Sequence, residues 1–208
     1  MEDCARLGPQ ETAAGRGFTD PGEIVPDLAA AARMLAEIQH QVRHGEPVPA
    51  RTRPRVVERR EASGRLHRAI LFDPRRLGDG RDLVWVGFFG VKRREVDSAP
   101  LTAMDDELVQ ELPAHPDILS YSSLELDDVD WGNLILLDGD EAREHWRDGA
   151  RHAYATRELA PRQYLYVRLH QGVLPGGACT GLTPVLRRTK YFDYRDGIIW
   201  RAEREWPP

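Results

Sequence analysis

The sequence has few of the residues on which several kinds of chemistry depend. Lys92 and Lys190 are its only lysines, so Schiff-base or amine catalysis would have to use one of these two. The two cysteines are Cys4 and Cys179, which indicate neither a disulfide framework nor a cysteine metal site. We therefore expect the protein to work in a reducing compartment.

Long apolar runs are also missing. No segment approaches the roughly 18 apolar residues of a membrane helix, and the first residues lack the basic start and apolar centre of a signal peptide. We therefore expect a cytoplasmic protein with no membrane partner. The net charge of −5 argues against a nucleic-acid partner, because phosphate binding usually requires a concentrated basic surface. The preference for arginine over lysine indicates a GC-rich bacterial genome.

Periodicity divides the chain into three parts. Residues 1–23 show none, which predicts a disordered tail. Residues 24–82 are predicted to form an extension with one helix, which begins at Pro26 and Asp27 and whose apolar positions recur every 3–4 residues from Leu28 to Val42, and one hairpin from 55–60 to 65–72. Residues 83–208 are predicted to form an α+β domain that ends in two extra strands. In this domain the strand at 83–91 is apolar on both faces, which predicts a central position, and segments 118–126 and 132–137 predict a second hairpin.

The element order from Leu83 to His170 is strand, helix, strand, strand, helix, strand. This order predicts a ferredoxin-like βαββαβ core, in which two helices cover one face of an antiparallel sheet. In this respect the chain resembles the dimeric α+β barrel superfamily, which includes small monooxygenases, polyketide cyclases and haem-binding enzymes. The resemblance implies a homodimer of packed sheets with a small-molecule substrate. The N-terminal helix, the hairpin and the last strands depart from the family unit, and they either extend the sheet or replace the partner subunit.

The strand predicted at 163–171 carries an uncommon set of polar side chains. Strand alternation predicts one polar face, opposite the apolar face of Leu165, Val167 and Leu169. The polar face consists of Tyr164, Tyr166, Arg168 and His170. Two interpretations remain open: these side chains line a cavity that holds a small molecule, or they meet solvent or a subunit interface.

In the cavity interpretation each side chain has a role. Arg168 would hold a carboxylate or enolate oxygen, and His170 or Tyr166 would move a proton. A buried Arg168 also requires an anionic partner, for which the candidates are Glu125, Asp193 and Glu203. The predicted substrate contacts are Tyr164, Trp85 and Phe89.

The helix predicted at Asp140–Leu159 places His145 and His152 on one stripe, roughly 10 Å apart. The superfamily resemblance implies a haem ligand on such a helix, with His152 as the first candidate and His145 as the alternative. Either histidine could instead be a hydrogen-bonded core-boundary residue, and His152 could serve as an acid–base catalyst. His40 and His44 have the spacing of helical zinc ligands, but an arginine lies between them, so we predict no metal site.

Together these observations predict a small-molecule enzyme of the oxygenase, cyclase or dehydratase type, with or without haem, whose pocket lies between sheet and helices. The alternative is a non-catalytic ligand-binding or assembly module, because tyrosine and arginine are also enriched at interfaces.

Overall fold

The computed structural model describes residues 4–48, 50–127, 130–141 and 153–207, which form a mixed α+β fold around one nine-stranded sheet. The strands are β1 (Cys4–Leu7), β2 (Arg55–Arg60), β3 (Leu66–Leu71), β4 (Leu83–Lys92), β5 (Ile118–Glu125), β6 (Trp131–Leu137), β7 (Tyr164–Leu174), β8 (Val185–Asp193) and β9 (Trp200–Glu205). The helices are α1 (Val25–His44), α2 (Pro74–Leu77), α3 (Ala99–Glu111) and α4 (Ala160–Gln163), and a π-helical turn at Ala155–Leu159 leads into α4.

The strands lie in the order β1-β9-β8-β7-β4-β6-β5-β3-β2. All neighbouring pairs are antiparallel except β1 with β9. The two predicted hairpins are present as β2–β3 and β5–β6, and β4, which is apolar on both faces, has the predicted central position between β6 and β7. The sheet goes beyond a simple ferredoxin-like core, because β2 and β3 extend one side and β8, β9 and β1 extend the other.

One face of the sheet, which we call the α1 face, is closed by α1. Seven of the twenty residues of α1 are buried, including Ala30, Met34 and Ile38 at helical spacing. They pack on Leu71, Trp85 and other core residues of the strands. The predicted apolar stripe is therefore the contact between α1 and the sheet.

The opposite face, which we call the α3 face, has a looser cover. It is covered by α3 together with residues 153–163, and α3 contacts the turn at Ala155–Leu159. No residue of α3 is buried. Leu101 and Val109 of α3 pack against residues of the strands, but a well-packed helix buries a whole apolar stripe, so α3 covers the sheet less closely than α1 does.

The predicted disordered tail is wrong for residues 4–23. β1 pairs with β9, and Phe18 is buried in a small aromatic cluster. The fully buried Arg204 of β9 holds this segment, because its guanidinium donates hydrogen bonds to the backbone carbonyls of Gly8, Glu11 and Thr19. The segment is ordered by contacts with the far end of the chain, which its own lack of periodicity did not indicate.

Among the residues that the structure describes, none of the helices is long and apolar enough to cross a bilayer.

Candidate functional site

A β-bulge divides the predicted polar face of β7. Val91 pairs with Tyr166 and the next residue, Lys92, pairs with Tyr164, so Leu165 is an extra residue in the ladder. Such an insertion reverses the alternation on one side of the bulge. Tyr166, Arg168 and His170 therefore share the α1 face as predicted, whereas Tyr164 lies on the α3 face.

Arg168 is bound by a carboxylate from α1. Its Nε lies 2.6 Å from Asp27 Oδ2, and its Nη2 lies 2.9 Å from Asp27 Oδ1. Both residues are buried, with 8% of Arg168 and 3% of Asp27 exposed. A planar guanidinium that donates two parallel hydrogen bonds to a carboxylate is the strongest common form of this ion pair. None of the three predicted partners, Glu125, Asp193 and Glu203, makes this contact.

His170 binds the same carboxylate. Its Nε2 is 2.9 Å from Asp27 Oδ2, and its Nδ1 is 2.9 Å from Thr189 Oγ1. An ionised carboxylate only accepts, so Nε2 carries the proton. The Thr189 hydroxyl oxygen accepts a hydrogen bond from Trp206 Nε1 at 2.9 Å. The hydrogen-bonded chain therefore runs from α1 through β7 and β8 to the C-terminal residues.

The electrostatics of Asp27 agree with a structural ion pair. Burial alone would raise the pKa of Asp27, but hydrogen bonds from His170 and Arg168, together with the Arg168 charge, outweigh burial and lower its pKa. The carboxylate is thus ionised, and both of its oxygens accept hydrogen bonds from within the protein. Arg168 and His170 connect α1 to β7, and the guanidinium is directed to an internal partner instead of an open pocket.

The remaining predicted residues of the α1 face, namely the half-buried Tyr166 and the buried Trp85 and Phe89, make aromatic and core contacts. Tyr166 stacks on Phe18 with ring centroids 4.4 Å apart. Trp85 and Phe89 are nearly inaccessible, at 3% and 2% exposure. The Phe89 ring lies 5.5 Å from that of His170. Trp85 also borders a small apolar cavity of about 170 Å³ beneath α1.

A larger cavity lies on the α3 face. Its volume is about 700 Å³, and it extends from β5 to β9 beneath α3 and the 153–160 segment. The five strand spacings from Tyr121 on β5 to Arg201 on β9 amount to roughly 24 Å. Most of its lining is apolar, and the α3 side of that lining is Leu101, Met104, Leu108 and Val109. Tyr164 is the predicted substrate contact that the structure places in this cavity.

One end of the cavity holds a hydrogen-bonded carboxylate. The Tyr121 hydroxyl donates to Asp105 Oδ1 at 2.9 Å, and Arg68 Nη2 lies 3.2 Å from Asp105 Oδ2. The Asp105 side chain retains 41% exposure, so it is accessible from the cavity. Burial, and then the neighbouring Asp105 charge, raises the pKa of Tyr121 well above its ordinary value. Burial also raises the pKa of Tyr164. Both phenols are therefore protonated hydrogen-bond donors near neutral pH.

The other end of the cavity is cationic. Arg188, Lys190 and Arg201 line it from β8 and β9. Arg188 is oriented by Gln171, whose Oε1 accepts hydrogen bonds from Nε at 3.1 Å and Nη2 at 2.7 Å. Glu203 lies 3.9 Å from Arg188.

The sequence did not single out Asp105, Tyr121 or Arg188. A signal existed for Asp105, because Leu101, Asp105, Leu108 and Leu112 recur at helical spacing. A carboxylate within an apolar stripe indicates a polar group facing a covered surface. Asp27 was interpreted only as part of a helix start.

The two candidate haem ligands, His145 and His152, lie outside the described residues. The described lining of the cavity contains no histidine or cysteine, and these are common haem-iron ligands. The described lining therefore offers neither of these two ligands to a haem group.

No protein-family model matches this sequence, and no curated protein matches it. Among solved structures, the crystal structure of protein SO0527 from Shewanella oneidensis is similar to part of the chain, with 11% sequence identity and a TM-score of 0.37. The similarity covers 46% of this chain and 94% of that one. A likeness at this level carries no argument about family or function.

Proposed function

We propose that this protein binds a small organic molecule in the cavity on the α3 face and acts on it by proton transfer. The observation that carries the proposal is the cavity itself, about 700 Å³ with an apolar lining and polar groups at its two ends. Ligand sites in proteins have this size and this composition.

The arrangement of the central strands supports a ferredoxin-like core for residues 83–174. Their order is β7-β4-β6-β5, with α3 and α4 following β4 and β6, and both helices border the cavity. This is the pattern from which the resemblance to dimeric α+β barrels was inferred. The homodimer stays a prediction, and it requires a surface other than the α1 face.

Asp105 is the group that we propose to move the proton. It is the only acidic residue among the described residues that line the cavity, and its partners are a phenol and a guanidinium. A positioned carboxylate can accept a substrate proton and return it, while Tyr164 donates a hydrogen bond to a developing oxyanion. These residues suit a dehydration or an aldol-type cyclisation. In either reaction Asp105 would take a proton from a carbon beside a carbonyl group and return it, to the hydroxyl that leaves as water or to the alkoxide formed on ring closure, so no oxidant or reductant is required.

The binding part of the proposal is tested with the neutral dye phenylnaphthylamine, whose fluorescence rises in an apolar site. Leu169 of β7 lines the cavity, so Leu169→Trp should fill it and weaken dye binding at least tenfold. The matched control is Leu182→Trp at an exposed loop position, which should bind as the wild type does. Equal binding by all three proteins would place the dye elsewhere and contradict the proposed site.

The catalytic part is tested by incubating wild type and Asp105→Asn with a bacterial metabolite extract and following the metabolites by mass spectrometry. A metabolite that wild type consumes should be consumed 10²- to 10⁴-fold more slowly by the variant. Phenylnaphthylamine binding should be unchanged, which shows that the cavity is intact.

A non-catalytic binding module is the second candidate. It is favoured by one observation, namely that Asp105 already has partners in Tyr121 and Arg68 within the protein. Dye binding without consumption of any metabolite would support this candidate.

A further inference from the structure

We infer that the ligand of the α3-face cavity is an organic anion, with its charged group at the β8–β9 end and its apolar body beneath α3. This inference rests on the proposed function and specifies the class of molecule that the site takes.

The described lining of the cavity contains more cationic than acidic residues. Four of these residues are cationic, and one, Asp105, is acidic. The cationic residues are Arg157, Arg188, Lys190 and Arg201. The whole chain carries a net charge of −5, so the described lining is richer in cations than the chain as a whole.

The two ends of the cavity differ in charge. Lys190 pairs with Leu169 across β7 and β8, and Phe192 pairs with Arg201 across β8 and β9. Arg188, Lys190 and Arg201 therefore lie on the last two strands at one end, whereas Arg157 lies in the 153–160 segment. At the other end, the carboxylate of Asp105 is already paired with Arg68. We therefore place the anionic group of the ligand at the β8–β9 end.

Arg188 is held in place by a buried amide. Both hydrogen bonds from its Nε and Nη2 go to the amide oxygen of Gln171, a residue with 6% exposure. The amide is neutral, so it orients the guanidinium without adding a counter-charge. Glu203 lies 3.9 Å from Arg188 and 3.8 Å from Arg6. A guanidinium held in this way is suited to a carboxylate, phosphate or sulfonate group.

The length of the cavity indicates an extended ligand. A molecule that reaches from the cationic end to Asp105 crosses Leu169 and Val86, both of which line the cavity. Such a molecule has an anionic head and an apolar chain or ring system, with its reacting carbon distant from the head.

The test compares two dyes that share an aromatic body and differ in charge. Anilinonaphthalene sulfonate carries an anionic group, and phenylnaphthylamine does not. Wild type should bind the sulfonate at least tenfold more tightly. Arg188→Gln should weaken sulfonate binding about tenfold and change phenylnaphthylamine binding less than twofold. The control is Arg187→Gln, which removes the same charge from the adjacent exposed residue and should leave both affinities unchanged.

Displacement of the bound sulfonate dye then identifies the head group. Decanoate and decyl phosphate should displace it at lower concentrations than decanol. The more effective of the two anions shows whether the site prefers a carboxylate or a phosphate head group.

Two outcomes of the dye experiments would contradict the inference. If the two dyes bind equally, or if Arg188→Gln weakens both dyes alike, the charged end has no role and the inference fails while the proposed cavity stands. If neither dye binds in a manner sensitive to Leu169→Trp, the proposed function fails, and this inference fails with it.

Discussion

Asp27 and Arg168 illustrate how a single buried charge pair determines the environment of its neighbours. The carboxylate enters from the first turn of α1, where the helix dipole also favours a negative charge. It accepts hydrogen bonds from Arg168 and His170 at once. The sequence correctly indicated that a buried Arg168 needs an anion, but the partner is 141 positions away, and residue type alone does not rank distant carboxylates.

For this residue pair we predict that Asp27→Asn lowers the free energy of unfolding by about 3–5 kcal/mol, because the substitution leaves the Arg168 charge buried without a counter-charge. Urea unfolding at pH 7 measures the change. The control, Asp106→Asn on the exposed surface of α3, should stay within about 0.5 kcal/mol of wild type. A double variant, Asp27→Asn with Arg168→Met, should recover part of the loss, and no recovery would mean that the ion pair is not the cause.

At the scale of elements, the pattern within one segment was sufficient to predict helices and hairpins that depend on that segment alone. The apolar stripe of α1 and both hairpins followed from periodicity and turn residues within each segment. The bulge in β7 did not, because it is defined by the register against β4, and one extra residue moves Tyr164 to the other face. For this reason the four polar residues of β7 that were predicted to share one face lie on two faces of the sheet.

Gly90 is the residue of β4 that allows Tyr164 to lie on the α3 face. A Cβ at this position would lie 2.5 Å from the Tyr164 ring, so Gly90→Ala should displace the ring and destabilise the fold by about 1–3 kcal/mol. Phenylnaphthylamine binding should fall as well, because Tyr164 lines the cavity. Gly17→Ala, where nothing lies within 4 Å of the added carbon, should change neither quantity. Thermal unfolding and dye titration give the comparison.

For the whole molecule, the question that the sequence could not answer is which face of the sheet is closed. Both faces of β4 are apolar, and a local pattern does not state whether a helix packs tightly or stands away. In the structure α1 seals one face and α3 covers the other loosely, so the cavity lies opposite Tyr166, Arg168 and His170, and of the four predicted polar residues Tyr164 lines it. Ion pairs hold the sealed side together, with Asp27 binding β7 to α1 and Asp193 binding Arg16 of the N-terminal segment at 3.1 Å.

These ion pairs predict how the whole fold responds to acid. Burial would raise the pKa of Asp193, but hydrogen bonds from Arg195 outweigh burial and lower it, and the pKa of Asp27 is lowered in the same way by His170 and Arg168. A carboxylate whose folded-state pKa is depressed stabilises the fold above its unfolded pKa of about 3.9, and this contribution is lost as pH falls through the folded value. Asp130, whose pKa is raised mainly by burial, acts in the opposite direction.

We therefore expect the free energy of unfolding to stay nearly constant between pH 7 and 5 and to decrease below about pH 4. The double variant Asp27→Asn with Asp193→Asn should be less stable at pH 7 and should lose less stability on acidification, so that the two curves converge near pH 3. Urea titrations at four pH values measure both curves, with Asp106→Asn as a control at an exposed carboxylate. Parallel curves for the wild type and the double variant would show that other carboxylates control acid unfolding.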